Sequence, residues 1–104
     1  MTARRLLPNR RGSTTFPIEA QGLGFTVTAS AFDSGELGEV FITNHRAGSG
    51  AGIMASDSAI AASLALQYGC PLDVLRKALS RDSQGRASGP LGAALDAIAK
   101  ESAS

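Results

Sequence analysis

The stretch from Gly38 to Tyr68 constrains the fold most, reading G-E-V-F-I-T-N-H-R-A-G-S-G-A-G-I-M-A-S-D-S-A-I-A-A-S-L-A-L-Q-Y. A β-branched and aromatic start, a glycine-rich segment at Ala47 to Gly52 and an apolar run ending at Gly69 predict a strand, a tight loop and a helix. Helix is expected from about Ile53. Ile53, Asp57, Ile60, Ala61, Leu64, Ala65 and Tyr68 recur at steps of three and four, so they define the side expected to pack. The small residues Ala55, Ala59, Ala62 and Ser63 allow that helix to lie close to a sheet or another helix. Gly69 suits the position just past a helix end, and Pro71 suits the first position of a second helix with Cys70 as its cap.

The remaining segments read as elements built against this unit. Thr14 to Glu19 forms a short strand, and Pro17, which has no N–H to donate, places it at a sheet edge. Gln21-Gly22-Leu23-Gly24 is a turn. Phe25 to Phe32 alternates, with Phe25, Val27, Ala29 and Ala31 on one face and Thr26, Thr28 and Ser30 on the other. Asp33-Ser34-Gly35-Glu36 turns the chain into the strand Leu37 to Asn44. Val40 and Ile42 are expected against the helix, with Phe41 on the opposite side near Phe25, and Leu6 or Leu7 is expected to anchor the N-terminal segment on the core.

Leu72, Leu75, Ala78 and Leu79 mark a short second helix, with Asp73 early and Arg76 and Lys77 late, as the helix dipole favours. A polar loop, Ser80 to Gly89, leads to a third helix over Pro90 to Lys100. Three strands followed by three helices imply an α+β fold: a three-stranded antiparallel sheet with the helices packed on one face. The open face, carrying Phe16, Phe25 or Phe41, is then an apolar patch suited to a partner or a second copy.

A chain of 104 residues with 43% hydrophobic and 18% charged content is expected to form one domain, residues 1–104, with a basic extended arm at 1–13 and a globular body at 14–100. Arg4, Arg5, Arg10 and Arg11 give the first eleven residues a charge of +4, whereas the remainder, six basic against nine acidic residues, carries −3. Such an arm suits nucleic acid, an acidic partner surface or a membrane headgroup layer, or it is a solvated segment that pairs with the acidic body. The single cysteine, Cys70, excludes an internal disulfide and fits a reducing compartment. One Cys and one His, His45, make no metal site, and no cofactor is expected. The start lacks an apolar leader and no run is long enough to span a membrane, so a cytoplasmic protein without a membrane partner is expected.

Two segments are candidates for anion or nucleotide binding. The first is Arg46, Gly48, Ser49 and Gly50, beside His45, where a helix N-terminus offers backbone N–H groups. Its G-S-G-A-G pattern lacks the Lys-Ser/Thr of a P-loop and departs from the G-x-G-x-x-G spacing, so a plain turn is the alternative. The second is Arg81 and Arg86, two guanidiniums flanking a turn that grip an anion or pair locally with Asp82. Cys70 before a helix reads as a structural thiol rather than a reactive one. No acid–base pair, nucleophile or oxyanion arrangement is visible, so no catalytic residue is assigned.

Taken together, R-L-L-P-N-R-R (Arg5 to Arg11), G-E-L-G-E-V-F-I (Gly35 to Ile42), S-L-A-L-Q-Y-G-C-P-L (Ser63 to Leu72), L-R-K-A-L-S-R-D (Leu75 to Asp82) and S-G-P-L-G-A-A-L-D (Ser88 to Asp96) resemble the TSCPD domain. That domain stands at the C-terminal end of adenosylcobalamin-dependent ribonucleotide reductases and also occurs as small bacterial proteins. The strand G-E-L-G-E-V-F-I and the helix ending L-A-L-Q-Y-G are the most specific pieces. The Thr-Ser-Cys-Pro-Asp signature is absent, since Ser80 to Pro90 holds no cysteine, and so are the reductases' terminal cysteine pairs, barrel and cobalamin-binding part. The resemblance implies a non-catalytic accessory module that binds a reductase-like protein or itself, linked to deoxyribonucleotide synthesis and DNA replication. The alternative is a small nucleotide- or nucleic-acid-binding protein that uses the arginine arm and the glycine-rich loop.

Overall fold

The computed structural model describes residues 3–9, 11–46 and 48–103. Three strands, β1 (Ser13–Ala20), β2 (Leu23–Ala31) and β3 (Leu37–Asn44), precede three helices, α1 (Gly50–Gln67), α2 (Leu72–Ala78) and α3 (Pro90–Ala103). The sheet is antiparallel in the order β1-β2-β3, so the fold is α+β as expected. β1, which holds Pro17, is an edge strand. β1 and β2 join through a two-residue turn in which Gln21 (φ 54°) and Gly22 (φ 76°) both take positive φ, the geometry that matches the twist of a tight hairpin.

Strand register decides which side chains meet. Val27 lies between Phe16 and Ile42, and Ala29 pairs with Val40, so these residues share the face toward the helices. Val40 and Ile42 are buried against α1, as expected, together with Phe25 and Val27, and α3 adds Ala94 and Leu95. Phe25 therefore belongs to the core and does not sit near Phe41. The period-two alternation carries Phe16 and Phe25 inward, and the open face is left with Thr15, Thr26, Thr28 and Thr43 around a half-exposed Phe41. Thr15 and Thr28 hydroxyls lie 3.2 Å apart across it. The expected apolar sheet face is thus a threonine face.

The larger correction concerns α1. It begins at Gly50, three residues before the expected start, because the Ser49 side chain caps it by accepting from the Gly52 N–H at 3.1 Å. Its buried residues are Ala55, Ala59, Ala62, Ser63, Leu66 and Gln67, while Ile60 and Leu64 are 46% and 40% exposed. Apart from Leu66 and Gln67, the helix presents small residues to the sheet, so Ala55, Ala59, Ala62 and Ser63 make the close approach expected of them, while the stripe of Ile53, Ile60, Leu64 and Tyr68 expected to pack is left to solvent. A helix laid along an edge strand must approach the backbone closely, and only alanine and serine leave room for that. Its C-terminus closes as expected: Gly69 (φ 102°) donates to the Leu66 carbonyl and Cys70 to the Ala65 carbonyl, satisfying the last turn. Pro71, with ψ 143°, caps α2 from outside it, so α2 starts at Leu72, one residue later than expected.

Candidate functional site

The strand β3 has one edge paired with β2 and the other facing α1, where its backbone groups need partners. Ser63 and Gln67, one helical turn apart, supply them. The Ser63 hydroxyl accepts from the Val40 N–H at 2.9 Å and shares its proton between the carbonyls of Val40 at 3.0 Å and Ala59 at 2.9 Å. The Gln67 amide donates to the Gly38 carbonyl at 2.9 Å. Both side chains are buried, and among the described residues no buried side-chain polar atom lacks a partner. Ser63 was read from the sequence as a small residue that allows close approach, as it does, but not as a hydrogen-bond partner, and Gln67 was not singled out. The available signal was two polar residues at i and i+4 on a face otherwise made of alanines and Leu66.

The same glutamine fastens the N-terminal arm. Its Oε1 accepts from Arg4 Nε at 2.7 Å and its backbone carbonyl from the Arg5 N–H at 2.7 Å. Arg5 stacks over the Phe32 ring at 3.9 Å and faces Glu36 at 3.6 Å. Arg11 meets Glu39 at 3.0 Å and donates to the Pro8 carbonyl. Leu7 is the half-buried leucine of the arm; a Cβ on Gly38 would meet its Cδ2 at 2.9 Å and the Phe32 ring at 2.8 Å, so glycine at that position lets both close over β3. Arg4, Arg5 and Arg11 thus rest on the acidic body; Arg10 lies outside the described residues.

The glycine-rich candidate sits elsewhere. Gly48 and Ser49 precede α1 and Gly50 opens it, with Arg46 exposed beside them and its backbone N–H held by Asn44 Oδ1 at 2.8 Å. The arm meets the last residue of α1, so the length of the helix, about 27 Å at ~1.5 Å per residue, separates the two candidates. No single nucleotide spans both. A cleft of about 570 Å³ lies near the start of α1, lined by apolar side chains with Gln21, Ser58 and Ser80, and Arg46, Arg81 and Arg86 are not in its lining.

Arg81 and Arg86 stand in a loop knitted into a small hairpin. Arg81 bridges to Ala87, Asp82 donates its N–H to the Arg86 carbonyl at 2.8 Å, and Ser88 donates to Ser80. Arg81 closes its fork on Asp96 with two contacts of 2.8 Å, and Arg76 adds a third at 2.9 Å. Arg86 pairs with Asp82 at 3.1 Å. The hydrogen bond from Arg81, helped by Arg76, holds the Asp96 carboxyl below its usual range against the opposing effect of burial, and Arg81 is raised in return. The Arg86 backbone N–H is the main cause holding Asp82 low. These guanidiniums are therefore committed to carboxylates that tie α2, the loop and α3 together.

A carboxyl lowered on folding stabilises the native state above its unfolded value, near 3.9, and that contribution disappears as pH falls through the lowered native value. Asp96→Asn is expected to lower the midpoint of urea unfolding at pH 7 and to flatten the loss of stability below about pH 4, which urea titrations at several pH values check.

Cys70 is partly buried, its Sγ 3.7 Å from the Pro71 carbonyl, and His45 is exposed. Among the described residues no group of His, Cys, Asp and Glu converges on a metal position, and no helix is long and apolar enough to cross a membrane.

With this geometry in view, comparison with known proteins is direct. Residues 4–101 match the TSCPD domain. The chain belongs to the TSCPD domain family. Among curated proteins it is similar to the vitamin B12-dependent ribonucleotide reductase of Bradyrhizobium diazoefficiens, 38% identical over 73 residues that make up 70% of this chain and 6% of that enzyme. The corresponding reductase of Agrobacterium fabrum is 40% identical over 70 residues, 67% of this chain and 6% of that enzyme. The matched part is therefore a small fraction of the length of these relatives. No solved structure matches the chain. The TSCPD match takes in the arm as well as the body. Within the matched residues, the Gln67–Gly38 contact joins the segment Gly35 to Ile42 to the end of α1.

Proposed function

We propose that this TSCPD chain is a non-catalytic accessory module that works by binding a B12-dependent ribonucleotide reductase or a protein like it, in the cytoplasm, in support of deoxyribonucleotide synthesis. The observation that carries this reading is the family match over residues 4–101, with relatives that are such reductases. One thiol cannot cycle between a dithiol and a disulfide within the chain, so the reductive chemistry belongs to the partner. Cobalamin is assigned to the partner as well: three clefts among the described residues, of about 550 to 570 Å³ each, are of the size that suits drug-sized ligands. The contacts of Arg4, Arg5 and Arg11 with the body compete with the phosphate-gripping role on which a nucleic-acid reading depends.

The test uses the tagged chain and the Agrobacterium fabrum reductase shortened to lack its own TSCPD domain, titrated at low and high salt, with a single-stranded oligonucleotide and ATP as controls. Binding to the shortened reductase that survives high salt is the expected result. No binding to the reductase, together with oligonucleotide binding whose log–log salt slope is roughly −3, as four released counterions would give, would replace this reading with the nucleic-acid one.

A further inference from the structure

We propose that the outward face of α1 is the contact surface of a symmetric homodimer. Ile53, Met54, Ile60, Leu64 and Tyr68 are between 40% and 74% exposed and fall on one arc of the helix with Ala61 and Asp57. Helices that are apolar all round are ordinarily covered on every side. This one has a single charged residue in eighteen, Asp57, and only the side that carries Ala55, Ala59, Ala62, Ser63, Leu66 and Gln67 is covered.

The occupant follows from area, charge and spacing. The molecule exposes 6643 Å² for a mass of 10.6 kDa. A compact monomer of that mass exposes roughly 5,500 Å². The extended arm accounts for part of the excess. The five large side chains of the arc expose on the order of 500 Å², the upper range for an apolar patch on a monomer, and with their rim they approach the ~800 Å² per partner of a stable interface. A patch with almost no charge meets its own copy without like-charge repulsion.

Spacing completes the match. About a two-fold axis between Ile60 and Ala61, an antiparallel pair sets Ile53 against Tyr68 and Asp57 against Leu64, with Ala61 allowing close approach. Helical side chains lean toward their own N-terminus, so each Tyr68 leans toward Asp57 of the other copy, where its hydroxyl donates to the carboxylate. The one charge on the arc thereby gains a partner twice over.

The dimer does not depend on the reductase reading. Sedimentation equilibrium of the full chain across concentration is expected to show a monomer–dimer equilibrium. Ile60→Glu and, separately, Leu64→Glu, which sets a second carboxylate against Asp57 of the other copy, should be monomeric with native circular dichroism, since both sites are half exposed. Tyr68→Phe should raise the dissociation constant about tenfold or more, as loss of two charge-assisted hydrogen bonds implies, with the fold of the monomer unchanged. A wild-type chain that stays monomeric up to about 1 mM would overturn the proposal. So would a dimer that survives both charge substitutions in folded protein. Should one of these fail to fold, the other decides.

Discussion

Ala59→Leu is expected to cost about 3 kcal/mol of unfolding free energy or more, among the largest effects of any single substitution in this chain. Ala59 is fully buried on the side of α1 that meets β3, one turn before Ser63. Leucine adds three heavy atoms where close packing leaves no space for them. The helix must then move out, and the Ser63 contacts to the Val40 N–H and carbonyl go with it. Urea unfolding followed by circular dichroism reads the change, with Ile60→Leu next to it as a control that should leave the midpoint almost unmoved. A cost below about 1 kcal/mol for Ala59→Leu would mean that the helix stands farther from the strand than its small residues imply.

The second large effect is expected at Gln67. Truncation to alanine removes the donor to the Gly38 carbonyl and the acceptor for Arg4, and leaves a buried carbonyl without its partner. The cost should be about 2 to 3 kcal/mol, from the unpaired group and the space vacated. Because the same side chain holds Arg4, whereas Arg5 stays on the Gln67 backbone carbonyl and Phe32, trypsin should cut after Arg4 faster than in the wild type while the body stays folded. Gln67→Glu separates the two tasks. It keeps an acceptor for Arg4 but sets a carboxylate oxygen against the Gly38 carbonyl, so stability should fall while the arm remains protected. Equal proteolysis of the wild type and Gln67→Ala would show that the arm is held by other contacts.

The strands were legible because alternation in Phe25 to Phe32 and the turn glycines act locally, and Pro17 marked an edge that the sheet order reproduces. Gly69 was legible for the same reason, since a positive φ after a helix is a local demand. The facing of α1 was legible only in part: Ala55, Ala59, Ala62 and Ser63 were read as allowing close approach, but the stripe of large residues was read as the packed side. Periodicity locates a stripe of large residues, but in a helix apolar on all sides it does not say which stripe meets the sheet. Here close approach to an edge strand decides, and it selects Ala55, Ala59, Ala62 and Ser63. Of the candidate site residues, Arg81 and Arg86 were placed correctly in a turn, yet the partner of Arg81, Asp96, lies fifteen residues away and comes near only when α3 folds back. Arg4 and Gln67 are sixty-three residues apart and illustrate the same limit.

The helix α1 is packed on the side of Ala55, Ala59, Ala62 and Ser63 and leaves Ile60 and Leu64 half exposed. Urea unfolding of the double variant Ile60→Ala, Leu64→Ala, with protein dilute enough to be monomeric, tests this most directly. A loss of about 1 kcal/mol or less is the predicted result, as befits two half-exposed side chains. A loss of about 4 kcal/mol or more, the sum expected of two core truncations, would contradict it and put the large residues of α1 back in the core.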